Sequence, residues 1–295
     1  MLYDYKATDE EREFLNQYNI KDYDQASIAA DVVLLSLGLN DNKRKIGYGP
    51  LQVLLIKREN YPFKDKWSLP GGFCIQQETC KDTARRVLRN ETAVNYPYLE
   101  EIGTYSGRRD PRGWIVSDTY MGVIDRVKCR LRDDDEAWDA KWFNVSIKTK
   151  DKGKCESSHQ IFTTTEYELH LDSEDGEDHL VTTTICQKIM NYGHFRYKWT
   201  IMDSDLGFDH GMILTDVITS LKRRVQNDLS IIFEFVPELF TLGEVEAAYK
   251  AICNIDGRVP NFRRRIEKYV TETDGIANNS YHRPAKLYTR NFDMF

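Results

Sequence analysis

Residues 71 to 94, GGFCIQQETCKDTARRVLRNETAV, restrict the fold more than any other stretch of the chain. A glycine pair opens a polar loop, and residues 79 to 92 behind it have helical composition. Glycines there let backbone approach a phosphate closely, and a helix start offers free N–H groups to an anion. The apolar segments around this loop read as strands. IAADVVLLSLGL (28 to 39) and LQVLLIKR (51 to 58) predict a hairpin across the polar NDNKRKIGYGP, with a short amphipathic helix at 8 to 17 before it. GWIVSDTYMGVI (113 to 124) and AKWFNV (140 to 145) predict a third and a fourth strand. IKTKDKGKCESSH reads as a polar loop, and TEYELHLDSEDGEDHLVTTTIC as a hairpin turning at its acidic, glycine-containing middle. Together they predict a β-hairpin insertion over about 146–190 at the edge of the first domain.

The helix invites metal chemistry and then withholds it. Gly72, Glu78 after five intervening residues and Arg86 after seven more resemble the start of the Nudix box, the signature of hydrolases that cut nucleoside diphosphates linked to another group. In that family the helix continues with an Arg-Glu pair, an aliphatic residue, any residue, a Glu-Glu pair, any residue, then Gly. This chain has Arg86-Val87, Leu88, Arg89, Asn90-Glu91, Thr92, Ala93. Carboxylates three and four residues apart project from one helix face, where Mg²⁺ requires several oxygen ligands beside the substrate phosphates. Val87 and Asn90 occupy two of those three positions, leaving Glu91. The expectation is therefore no metal centre, at most weak Mg²⁺ at Glu91, no required cofactor, and no catalytic residues. The family also implies that Glu78 pairs with Arg86 and ties loop to helix rather than binding metal.

The rest of the pocket sequence is intact. WSLPGGF (67 to 73) followed by GRRDPRGW (107 to 114) resembles the ADP-ribose-handling branch of Nudix proteins. That resemblance implies an effector site formed by Arg58, Gly71, Gly72, Phe73, Arg109 and Arg112, with Phe63 or Trp67 as a stacking surface for a base. Arginine suits the diphosphate because its planar fork makes paired charge-assisted contacts. The alternative for Arg112 is that it only pins the turn through Asp110, and for Trp67 that it is core.

The far end of the chain has a different chemistry. The net charge is −6, yet residues 257 to 290 carry eight basic side chains against three acidic ones. Asp209 caps a predicted helix with apolar residues at Ile213, Leu214, Val217, Ile218 and Leu221, and SIIFEFV after it reads as a strand. Thr241 and Glu244 have capping-box spacing at the start of the next helix, whose stripe is Leu242, Val245, Tyr249 and Ile252. NFRRRIEKYV then buries Phe262, Ile266, Tyr269 and Val270 and turns Arg263, Arg264 and Lys268 away, with Arg265 flanking. A helix packed by one face and rich in arginine on the other is what a recognition helix needs. HRPAKLYTR completes a wing. The predicted DNA contacts are Asn261, Arg263, Arg264, Arg265, Lys268, His282, Arg283 and Lys286.

Both motif sets, in this order, resemble the NrtR family of Nudix-related transcriptional regulators. The resemblance implies an α+β chain, a Nudix α/β/α sandwich (1–208) followed by a winged helix-turn-helix domain (209–295). It further implies a homodimer on a double-stranded palindromic operator, released by an ADP-ribose-like or sugar-derived ligand. The alternative is an active hydrolase of ADP-ribose or a related nucleoside diphosphate. No stretch approaches eighteen apolar residues, the N-terminus lacks the pattern of a secretion signal, and six cysteines are scattered without a CxxC pair. These features predict a cytoplasmic protein with reduced thiols and no membrane partner.

Overall fold

The computed structural model describes residues 7–38, 48–92, 98–107, 110–126, 140–156, 161–191, 194–277 and 284–294. After helix α1 (Asp9–Gln17), strands β1 (Ser27–Leu37) and β2 (Leu51–Lys57) form the expected hairpin, pairing antiparallel with Leu35 opposite Val53. Short strands β3 (Trp67–Ser68) and β4 (Gly71–Phe73) hold the glycine loop against β2 and β1, and α2 (Cys80–Thr92) follows. β5 (Tyr98–Gly107) and β6 (Ile115–Val123) close one side, and β6 runs parallel to β1.

Strands β7 (Ala140–Glu156), β8 (Ile161–Ser173), β9 (His179–Asn191) and β10 (His194–Ser204) extend the other side. The sheet order is β10-β9-β8-β7-β2-β1-β6-β5. Of the polar loop expected over 147–159, residues 157–159 lie outside the described residues, and 147–156 are instead the continuation of β7. Its residues pair with β8 from Phe143 to Glu156, so hydrogen bonding carries a segment whose side chains are mostly solvated. The hairpin of β8 and β9 forms as expected. The added region is nonetheless a four-stranded meander continuous with the central sheet.

β1 explains the sandwich. Its residues are buried on both sides: Ala30, Val32 and Leu34 pack with Ala84 and Leu88 of α2, whereas Val33, Leu35 and Leu37 face a second layer. That layer is α3 (His210–Asn227), which buries Ile213, Leu214, Val217, Ile218 and Leu221 as its periodicity predicts. Asp209 stands at the N-cap but makes no side-chain cap hydrogen bond, contrary to the expected cap. α3 also touches the C-terminal unit, so a boundary at 208 falls just before a helix that both halves share.

The apolar SIIFEFV segment is no strand. Ser230–Phe235 is a 3₁₀ turn that sends Ile231, Ile232, Phe233 and Phe235 into the core. Consecutive apolar residues suit this turn because it spreads neighbouring side chains around its axis. α4 (Leu242–Cys253) carries the predicted capping box, with Thr241 and Glu244 bonded reciprocally. α5 (Phe262–Ile266) is only five residues long, continued by a 3₁₀ turn over Glu267–Tyr269. Val270 is therefore not on the helix. It opens β11 (Val270–Ala277), which pairs with β12 (Ala285–Arg290) as the wing. Among the described residues no helix is long and apolar enough to cross a membrane.

Candidate functional site

A cavity of about 330 Å³ lies between the glycine loop, α2, the turn before β6 and the first residues of α3. Gly71 and Gly72 form its floor. A Cβ on Gly71 would lie 2.1 Å from Asp31 Oδ1, and one on Gly72 would meet the Val87 methyl at 3.2 Å. At Gly71 a side chain would force Asp31 aside, whereas at Gly72 it would only press on Val87. Val87 and Asn90 line this cavity on the α2 side, where the hydrolase pattern would put carboxylates. The Glu91 side chain lies outside the described residues.

Arginines dominate the wall. Arg112 Cζ stands 4.9 Å from the ring centre of Phe73 and 5.0 Å from that of Phe208, while its fork binds Asp110 at 2.6 and 2.9 Å. Burial works against the Asp110 carboxylate, but these Arg112 contacts hold it below the usual range. Arg58 packs against the same ring, its Cζ 4.7 Å from the centre of Phe208, and donates to Pro62 O at 2.8 Å. Burial, then the nearby Arg112, lowers its pKa from the ordinary value. Both arginines thus face one cavity in which an anion would relieve their mutual repulsion.

Arg86 donates to Glu78 at 2.8 and 2.9 Å and to Phe73 O at 3.0 Å, so this pair ties helix to loop. The same hydrogen bonds lower the Glu78 pKa. Phe63 is not among the residues lining the cavity; it packs edge-on against Phe208, ring centres 4.7 Å apart. Trp67 is not available for stacking. It is buried against Phe143 and donates to Asp178 at 3.2 Å. Arg109 lies outside the described residues.

Four residues that sequence reasoning missed complete the site. Asp31 accepts a hydrogen bond from Ser117 and lies 3.8 Å from His210 Nε2. The Leu69 N–H donates to His210 Nδ1 at 2.9 Å, which leaves the ring proton on Nε2, toward Asp31. With Phe208, this makes the start of α3 a wall of the cavity. One signal was available: Asp31 is the only charged residue inside the apolar run of β1.

No ion is needed to explain the acidic cluster elsewhere. Among the described residues, three or more His, Cys or carboxylate groups close enough to share an ion occur only at Asp175, Glu177 and Asp178, and Lys141 Nζ lies 2.7–3.1 Å from all three.

At the other end, Asn261, Arg263, Arg264 and Lys268 are exposed on or beside α5. Arg265 is used differently: it stacks on Tyr249, Cζ 5.2 Å from the ring centre, and donates to Gln226 O at 3.0 Å. Tyr269 donates to Asp228 at 3.0 Å. These contacts fasten the short helix to α4 and to the C-terminal end of α3. Lys286 is exposed on the wing and paired with Glu272. His282 and Arg283 lie outside the described residues.

Sandwich, glycine-floored cavity and basic winged helix define a Nudix-type domain followed by a winged-helix domain. Residues 37–157 match the NUDIX domain family, and residues 232–289 match the NrtR DNA-binding winged helix domain. The chain is NrtR-like. It is 28% identical over 282 residues to the ADPR responsive transcriptional repressor NtrR of Acinetobacter baylyi, covering 94% of this chain and 87% of that protein. An ADP-ribose pyrophosphatase of Methanocaldococcus jannaschii is 35% identical over 96 residues, 32% of this chain and 56% of that enzyme. The fold is also that of Shewanella oneidensis NrtR, with TM-score 0.55, 22% identity, and coverage of 90% of this chain and 94% of that one. A MutT/nudix family protein from Enterococcus faecalis superposes with TM-score 0.63 at 22% identity, over 97% of this chain and 94% of that chain.

Proposed function

We propose that this chain is a transcriptional repressor whose hold on DNA is set by an ADP-ribose-like or sugar-derived ligand in the Nudix cavity. One observation carries the reading: α3 meets the cavity at His210 and the DNA-binding helix at Gln226 and Asp228. A helix of 18 residues is about 27 Å of stiff rod, so a shift at one end is delivered to the other. Arg58, Arg112, Phe73 and the Gly71-Gly72 floor would receive the diphosphate and an adjoining ring. Arg263, Arg264 and Lys268 would contact DNA, with Asn261 and Lys286 beside them.

The related repressor from Acinetobacter, similar over nearly the full chain, supports regulation over catalysis. Val87 and Asn90 support it chemically, because a divalent ion there would lack two of the carboxylates the reaction uses. No cofactor is required in this reading. A homodimer would place two winged helices on half-sites about 34 Å apart, or a multiple of that, and a small rotation of α3 would spoil the spacing.

The test is fluorescence anisotropy of the full chain on DNA from upstream of its own gene. Specific binding in the nanomolar range that ADP-ribose reverses is the expected result. Incubation with ADP-ribose and Mg²⁺ or Mn²⁺ addresses the hydrolase alternative. AMP released faster than about one turnover per second, within the ordinary range of enzymes, would overturn the repressor reading.

A further inference from the structure

Cys74 and Cys80 are six residues apart in sequence, and their sulfurs lie 3.7 Å apart in the fold. We propose that they form a reversible disulfide, an oxidation site that reshapes the adjoining cavity.

Both thiols are held on firm mounts. Cys74 ends the glycine loop, and its N–H donates to Ile28 O at 2.9 Å. Cys80 opens α2 just after Thr79, whose hydroxyl and N–H exchange hydrogen bonds with Asp82 at 2.6 to 3.2 Å. The residues between are exposed: Ile75, Gln76, Gln77 and Thr79 face solvent, which admits a small oxidant and lets the loop adjust. A disulfide needs sulfurs about 2.05 Å apart, so closure requires a movement of roughly 1.7 Å. Burial pushes the Cys80 thiol up to about 11, which keeps Cys80 protonated at rest and suits it to act second.

The oxidant class is a peroxide. The Cys74 sulfur attacks hydrogen peroxide, breaking the O–O bond and releasing water as a sulfenic acid forms. The Cys80 sulfur then displaces the sulfenic hydroxyl, which leaves as a second water with the Cys80 proton. Two thiols and one peroxide give one disulfide and two waters.

Closure would pull Cys74 toward α2 and draw Phe73 with it. Phe73 lines the cavity, its ring lies against Arg112 and its carbonyl is held by Arg86. The consequence for ligand affinity rests on the proposed function; the disulfide itself does not.

The experiment treats the full chain with hydrogen peroxide, alkylates remaining thiols and digests with trypsin. Cleavage after Lys66 and Lys81 puts both cysteines in one peptide, WSLPGGFCIQQETCK. The expected product is that peptide lighter by two hydrogens, unalkylated, and restored by dithiothreitol. In Cys80→Ser, Cys74 should instead be trapped by dimedone as a sulfenic acid. Sulfinic acid at Cys74 with Cys80 alkylated, or both thiols alkylated throughout, would overturn the proposal. Isothermal titration of oxidised and reduced chain with ADP-ribose should then differ at least fivefold. Equal affinity with the disulfide present would reject control of the cavity while leaving the disulfide standing. No binding in either form, with the disulfide present, would instead count against the proposed ligand.

Discussion

Arg264 and Arg265 are neighbours in sequence with opposite surroundings. The first is exposed; the second is stacked on Tyr249 and bonded to Gln226. Arg264→Ala should weaken DNA binding by about 1–3 kcal/mol and flatten its salt dependence, with an unchanged melting temperature. Arg265→Ala should instead lower stability by about 1–2 kcal/mol in denaturant titration, through lost packing and an unpaired carbonyl. Gly71 makes a third contrast. Alanine there would displace Asp31 from Ser117, so Gly71→Ala should lose ligand affinity in calorimetry and destabilise the chain by about 1–3 kcal/mol. Asp216, on α3, supplies a pH effect. Burial raises its pKa, against hydrogen bonds from Tyr105 at 2.9 Å and Ser220 at 3.3 Å. The folded chain thus binds this proton more tightly than the unfolded chain, and stability falls as pH rises through the raised value. From about pH 4 upward, the melting temperature of Asp216→Asn should gain on that of the parent.

Elements with their own local signals were readable. α4 has a capping box, a stripe of period 3.6 and Asn254 in the left-handed region just past its end, where a helix commonly stops. Thr241→Ala should cost about 1 kcal/mol, read as a lower denaturant midpoint at constant slope. β7 shows the limit. Its polar half has no inward face to announce a strand, and only a partner far along the chain makes it one. The 230–235 turn errs the other way, since an apolar run without period does not say which conformation will bury it. α5 was legible in its buried residues but not in its length, because Val270 serves the wing as well as it would a helix.

One hydrophobic cluster runs from Val33 and Phe143 through α3 to Phe233, Val245 and Ile266. Sandwich and winged helix therefore share a core and should unfold together. The described tryptophans, Trp67, Trp114, Trp142 and Trp199, all precede α3, so their fluorescence follows the sandwich half. Amide exchange of α4, measured by mass spectrometry, should report the same unfolding midpoint. ADP-ribose at a hundred times its dissociation constant should stabilise both probes equally, by about 2.7 kcal/mol. A midpoint shift confined to tryptophan would mean that the ligand does not reach the winged-helix half.

The amino-acid order by itself determined the glycine loop, the helix depleted of carboxylates, the capped α4 and the basic turn of α5, because each depends on contacts within a few residues. Cavity membership was decided by the tertiary structure. Asp31, Ser117 and His210 come from three distant segments, Trp67 turns inward, and Arg265 is drawn off to brace α3. Those outcomes follow from which surfaces lose water together, and that is settled only when the sheet closes on α3.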